Sequence, residues 1–182
     1  MTRILSKSNI KILVSTILCL FFFTDLVISQ SYRFRNFGTE NGLPNEFVYT
    51  MVQDNNGYLW IGTGGGLSKF DGFDFYHVAF PDSSQGRFPT SCLKDKNGNL
   101  WFGCNDGSVY ITRGRNLKQV ALINTRTIST MIEGPDSSVY IIPQGESVFR
   151  IDPDEPGKIS SYPVDPGIVL FSACFTLSGD LL

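Results

Sequence analysis

The 182-residue sequence carries 15 basic and 17 acidic side chains, a formal charge of −2, which leaves no electrostatic case for nucleic acid or an anionic membrane surface. Eighteen glycines, nine prolines and 13% aromatics favour turns and strands over helices. One histidine and unclustered cysteines exclude the ligand spacing of a metal site.

The chain opens as a targeting segment. Arg3, Lys7 and Lys11 form a positive region, and Ile12 to Phe23 is an unbroken run of apolar or small residues ending before Asp25. Val27 and Ser29 supply the small residues of a cleavage site before Gln30, so 1–29 is expected to be a signal peptide. The run is short for a membrane span, which needs about 20 residues. Its removal takes three basic groups and Asp25, leaving 12 basic and 16 acidic residues, a net of −4, in an exported, periplasmic chain. Cys92, Cys104 and Cys174 remain, an odd number that cannot complete a disulfide framework. A two-residue Asn97-Gly98 hairpin loop pairs Cys92 with Gly103, which favours Cys92 and Cys104 as small buried residues over a bridge between them.

Residues 30–47 read as an opening strand and loop. Tyr32 and Phe34 alternate with Arg33 and Arg35 up to Phe37, and Gly38 to Glu46 follows with Gly42-Leu43-Pro44-Asn45. After it the text repeats. Asp54-Asn55-Asn56-Gly57-Tyr58-Leu59-Trp60-Ile61-Gly62 returns as Asp95-Lys96-Asn97-Gly98-Asn99-Leu100-Trp101-Phe102-Gly103, a period of 41. A decayed copy puts Tyr140 in the Trp slot, and a fourth puts Leu182 there. A period near 40 with several short strands per unit is the mark of a propeller blade. The expected fold is all-β: a partial β-propeller of about three four-stranded antiparallel blades (48–87, 88–127, 128–167) and the start of a fourth (168–182).

The predicted strands A to D are Val48–Gln53, Tyr58–Thr63, Leu67–Phe70 and Phe73–Val78 in the first blade. In the second they are Thr90–Lys94, Asn99–Cys104, Ser108–Thr112 and Leu117–Ala121. The third has Ile128–Glu133, Ser138–Ile142, Ser147–Ile151 and Ser160–Val164, and the fourth opens with Val169–Thr176. The recurring residues have scaffold roles. Trp60, Trp101 and Tyr140 place large rings between sheets, Gly62 and Gly103 mark close approach, Gly57 and Gly98 make turns, and Asp54 and Asp95 cap them.

At these residues the sequence resembles the two-component regulator propeller repeat. That pattern, roughly D-x-x-G-x-L-W-I-G-T-x-x-G-L-x-x-[FY]-D-G, is matched almost throughout by Asp54–Gly72, and Gly42-Leu43-Pro44-Asn45 is similar to the segment that opens a first repeat. The resemblance covers about 32–182, strong in the first blade and weak in the third. It implies an exported sensor region of a bacterial hybrid histidine kinase or related regulator, with a carbohydrate as ligand and membrane attachment only through a C-terminal part beyond these residues. The repeat run stops inside a fourth blade, so a truncated sensor piece is expected, with the remaining blades and downstream sensor domains as its partners. The competing reading is a stand-alone secreted binding or assembly protein built on the same repeat.

No chemistry stands out. His77 reads as a surface residue of an outer strand, the glycines after Gly62 lack the helix of a nucleotide loop, and Asp152, Asp154 and Glu155 read as a solvated turn. No enzyme activity, metal or cofactor is expected. Binding is the better prospect, because the B–C turns and D–A loops gather at one rim, bringing Asn45, Arg87, Asn105, Asp106, Arg126 and Gln144 together. Changes at Arg87 or Arg126 are expected to leave folding nearly untouched.

Overall fold

The computed structural model describes residues 7–22, 34–82, 86–113, 116–123, 126–145, 147–155, 157–165, 170, 172–176 and 178–182. They fall into two units, Met1–Asn36 and Phe37–Leu182. The first holds helix α1, Lys7–Phe22, and among the described residues no helix is long and apolar enough to cross a membrane. The expected cleavage site at Val27, Ser29 and Gln30 lies outside the described residues, as do Tyr32 and Arg33. The rest of the expected opening strand is not formed. Residues 34–38 carry no strand, and no described strand pairs with them to supply a ladder.

The second unit contains three four-stranded antiparallel sheets, each in sequence order. The first is β1 (Val48–Gln53), β2 (Leu59–Thr63), β3 (Gly66–Phe70) and β4 (Phe75–Val78). The second is β5 (Pro89–Lys94), β6 (Leu100–Cys104), β7 (Ser108–Arg113) and β8 (Asn116–Leu122). The third is β9 (Ile128–Glu133), β10 (Val139–Pro143), β11 (Ser147–Ile151) and β12 (Ile159–Pro163). A fourth repeat begins with an antiparallel bridge between Phe175 and Leu181, while Leu170 bridges Gly145. The expected strand over 169–176 is described only in part.

One turn explains the repeat. The amide of Asp54 donates to the Tyr58 carbonyl at 2.9 Å and that of Gly57 to the Asp54 carbonyl at 3.2 Å. The same pair closes Asp95–Asn99, Gly134–Ser138 and Thr176–Asp180. The fourth residue of each turn needs positive φ, met by Gly57, Gly98 and Gly179, and in the third copy by Ser137 at φ 69°. This turn also corrects the register expected at Cys92. The strands reach only to Lys94 and Leu100, leaving five residues between them, so Cys92 pairs with Phe102 and Gly103 with Ser91. Cys92 and Cys104 are both free thiols.

The sheets stack through apolar faces. Trp60 and Leu67 of the first pack on Leu100, Phe102, Cys104 and Tyr110 of the second, with the Trp60 and Phe102 rings 5.7 Å apart. Trp101, Val109 and Ile111 of the second pack on Ile128, Met131, Val139 and Ile141 of the third. A side chain on Gly62 or Gly103 would obstruct this. A Cβ on Gly62 would lie 2.8 Å from Pro89 Cβ, and one on Gly103 would lie 2.5 Å from Ile128 Cγ2, both on the next blade's inner strand. Each inner strand also slips register near its start, leaving Tyr49, Thr90 and Ser129 out of the ladder. Two of these reach the next blade: Tyr49 stacks on Phe88 at 4.8 Å, and the Thr90 hydroxyl donates to the Ile128 carbonyl at 2.7 Å.

The other face of the first sheet is covered from within the chain. A single 3-10 turn, Thr39–Asn41, ends at Gly42 with φ 99° and directs Leu43 onto Ile61 and Phe70. Phe37 joins them, its ring 4.8 Å from Phe70. Burying Leu43 contributes about 1.5–3 kcal/mol, and the half-buried Phe37 adds a smaller share. The segment read as a loop is therefore part of the core.

Candidate functional site

The six polar residues expected at one rim fall at the B–C and D–A end of the blades, where a repeated clasp joins the two connections. The Gly64 amide donates to the Phe47 carbonyl at 3.1 Å, that of Asn105 to Phe88 at 3.1 Å, and that of Gln144 to Thr127 at 2.8 Å. Asn45 and Asn105 are taken up in this clasp. Asn45 Oδ1 accepts the Phe47 amide at 2.8 Å, and Asn105 Oδ1 accepts the Phe88 amide at 3.0 Å while its Nδ2 donates to the Gly86 carbonyl at 3.1 Å. Asx side chains that bond to nearby backbone fix loop shape. Arg126 donates to the Gln144 carbonyl at 3.1 Å, and both residues are exposed.

Arg87 departs from expectation. Its side chain is only 9% exposed, ion-paired through Nε to Asp106 at 2.7 Å and through Nη1 to Asp82, with Nη1 also donating to the Tyr110 hydroxyl. Tyr110 in turn donates to Asp82 at 3.0 Å. The bond from Arg87 holds the Asp82 carboxyl below its usual range. Burial pushes Asp106 up, but bonds from Arg87 and Ser108 outweigh it, so Asp106 is also lowered. Burial would weaken the Arg87 charge, yet the two carboxylates raise its pKa further, while burial and Asp82 push the Tyr110 hydroxyl up. This is a structural ion network, and Arg87 is not a surface residue indifferent to folding. Sequence reasoning missed it because Asp82, Arg87, Asp106 and Tyr110 meet only after the sheet folds.

At the opposite end, the A–B turns carry a second polar system. Asp54 Oδ1 accepts the amides of Asn56 at 2.9 Å and Tyr58 at 3.0 Å, and its Oδ2 accepts Trp60 Nε1 at 3.0 Å. Burial raises this carboxyl, but those bonds prevail and lower it. Asp95 does the same work with Asn99 at 2.8 Å and Trp101 Nε1 at 2.9 Å. The acid and the tryptophan six residues on are thus one unit, which their constant spacing signals. Tyr140, without that acid, lies edge-on to Phe175 at 5.0 Å.

Burial pushes the Cys92 and Cys104 thiols up, so both stay protonated. His77 is exposed on β4. Among the described residues no group of three or more His, Cys, Asp or Glu is placed to hold a metal.

Residues 42–65 and 83–106 match the two component regulator propeller family, each match spanning the end of one connection, an inner strand and the Trp-bearing strand. These two stretches, in the first and second blades, match that repeat. Among solved structures it is similar to the extracellular domain of BT4673 from B. thetaiotaomicron, termed a one component system in one structure (TM-score 0.71) and a hybrid two component system in another (0.70). Identity is 17% over 84% of this chain and 22% of that one. The extracellular domain of the hybrid two component system BT3049 from the same organism gives a TM-score of 0.64 at 16% identity, covering 81% of this chain and 20% of its own. This chain therefore spans about a fifth of their length. No curated protein matches it. At these identities the likeness carries the fold alone, three four-stranded sheets like propeller blades of those domains.

Proposed function

We propose that this chain forms part of an exported, non-catalytic β-propeller that senses a ligand for two-component signalling, with a carbohydrate as ligand class. The observation that carries the reading is the regulator-propeller repeat itself, on a fold shared with extracellular domains of hybrid two component systems. Rigid sheets presenting polar loops at their ends suit recognition, and Arg126 and Gln144 are the candidates exposed at the rim. Asn45, Asn105, Asp106 and Arg87 act there by holding the loops. Residues 1–29 direct export, and the mature chain works in the periplasm alongside further blades and downstream sensor domains.

Two measurements test this. N-terminal sequencing of periplasmic material should start near Gln30, and a product that keeps Met1 in the cytoplasm would overturn export. A thermal-shift panel of saccharides and amino acids should show a saccharide raising the melting temperature, with the stabilisation growing as the logarithm of its concentration above Kd. A response confined to the amino acids would overturn the carbohydrate assignment.

A further inference from the structure

We propose that the joint between the first two blades, at the A–B turn end, is a binding pocket for one ring of a neutral polyhydroxyl compound such as a monosaccharide. The inference rests on the reading of the chain as a ligand-binding scaffold. It goes beyond that reading by placing a site at the end of the blades opposite Arg126 and Gln144.

The joint forms a half-open cavity of about 190 Å³ between the Asp54–Tyr58 and Asp95–Asn99 turns. Drug-sized ligands fill some 300–1,000 Å³, so this volume suits one small ring and not an oligosaccharide. The cavity's buried lining residues are Trp60, Leu100 and Thr112, two apolar side chains and one hydroxyl. The walls are polar and hold unused hydrogen-bonding capacity. The exposed side-chain amides of Asn55 and Asn56 bond to nothing among the described residues, and the half-buried Asn99, whose Nδ2 donates to Asp95 at 2.9 Å, keeps its Oδ1 unengaged. Asp54 adds an ionised carboxylate whose Oδ2 accepts from Trp60 and lies 3.8 Å from Lys69 Nζ. Amides both donate and accept, as hydroxyls do, and a carboxylate accepts from them. The one charged group lining the cavity is the Asp54 carboxylate, and the nearby Lys69 is already paired with it at 3.8 Å, so an anionic sugar is disfavoured there.

The repeat provides the comparison. The second residue of each A–B turn abuts the positive-φ residue of the next blade's turn: Asn55 against Gly98, Lys96 against Ser137, Pro135 against Gly179. At the second joint the Lys96 side chain crosses to bond the Ser137 hydroxyl, and its backbone amide donates to Glu133 Oε2 at 2.9 Å, so the residue at this place is already engaged, while Glu133 Oε1 is buried without a partner among the described residues. At the third, Pro135 offers no side-chain donor or acceptor. The first joint has short asparagines at this place, and their amides are left for a ligand.

The test is calorimetric titration of the exported chain with D-glucose, D-galactose, D-mannose, D-xylose, L-arabinose and D-galacturonate. At least one neutral sugar should bind saturably, and the Asn55→Ala/Asn56→Ala double variant should weaken it about tenfold through two lost hydrogen bonds. The variant should melt as the parent does, and Arg126→Ala should bind as the parent does. A neutral sugar held equally well by the double variant would overturn the pocket while leaving a saccharide sensor standing. Binding of galacturonate alone would overturn the pocket's proposed chemistry. Failure of all six sugars would overturn the pocket, while a saccharide response in the thermal-shift panel would still uphold the broader reading.

Discussion

Gly103→Ala tests how the blades are joined. A Cβ there would lie 2.5 Å from Ile128 Cγ2, 2.7 Å from Ile128 Cβ and 3.2 Å from Ile128 Cγ1. Ordinary carbon contacts are about 3.5–4.0 Å, so the neighbouring strand must retreat by roughly 1 Å. Rotating Ile128 cannot relieve the clash, because its own Cβ is one of the atoms struck. That residue is fully buried among Trp101, Val109 and Met131, and moving β9 loosens the whole second joint. Overpacking of this kind costs about 1–3 kcal/mol, and the absence of a rotamer escape puts Gly103→Ala near the upper end. Gly157→Ala is the matched control. A Cβ at Gly157 meets nothing within 4 Å and its φ is not positive, so the change should be neutral or stabilising by about 0.4–1 kcal/mol. Urea denaturation followed by tryptophan fluorescence should separate the two variants clearly. Equal midpoints would refute the close approach of β6 and β9 and with it the stacking of the blades.

Trp101→Phe should cost about 1 kcal/mol more than Trp60→Phe, because it strips a donor from Asp95, which is 3% exposed, whereas Asp54 also has Lys69 at 3.8 Å; urea midpoints of the two variants decide this. Arg87→Ala should destabilise by about 1–3 kcal/mol, well beyond Arg126→Ala, because its side chain is buried between two carboxylates that are themselves only about two-thirds buried. Since Asp82 and Asp106 are lowered in the folded state, their contribution is present above the ordinary carboxylate value and lost as pH falls through the depressed ones. Stability should therefore decline below about pH 4, and Arg87→Ala should make that decline shallower in acid titrations followed by circular dichroism. Ser137→Gly should stabilise by up to about 1 kcal/mol by relieving φ 69°, read as a higher melting temperature.

Much of the fold was legible because it is written locally. The five-residue turn, the tryptophan six places after its acid and the glycine two after the tryptophan recur, so twelve strands could be placed within two residues of their observed ends. What the sequence hid depends on distant partners or on exact turn geometry. Counting Asn97-Gly98 as a two-residue loop shifted Cys92 by one partner, since the turn runs from Asp95 to Asn99. Leu43 looked like a loop residue and Phe37 like the end of an opening strand because the sheet face they cover lies in a later segment. Ser137 concealed a turn position that glycine announces elsewhere. Of the rim residues, exposure of Arg126 and Gln144 was readable from the loops around them. The burial of Arg87 was not, because Tyr110 and Asp106 come from a different connection. The amide-lined joint was equally hidden, since Asn55 and Asn56 face Asn99 only across two stacked blades.

The central claim, that these blades form a ligand-sensing scaffold, is tested most directly by titrating isotope-labelled protein with neutral saccharides and following backbone amide shifts. The account predicts saturable shifts confined to the ends of the blades, at Asn55, Asn56 and Asn99 or around Arg126 and Gln144, with the buried strands β6 and β10 unmoved. Shifts that never saturate with any saccharide, or that spread evenly through the sheets, would contradict it.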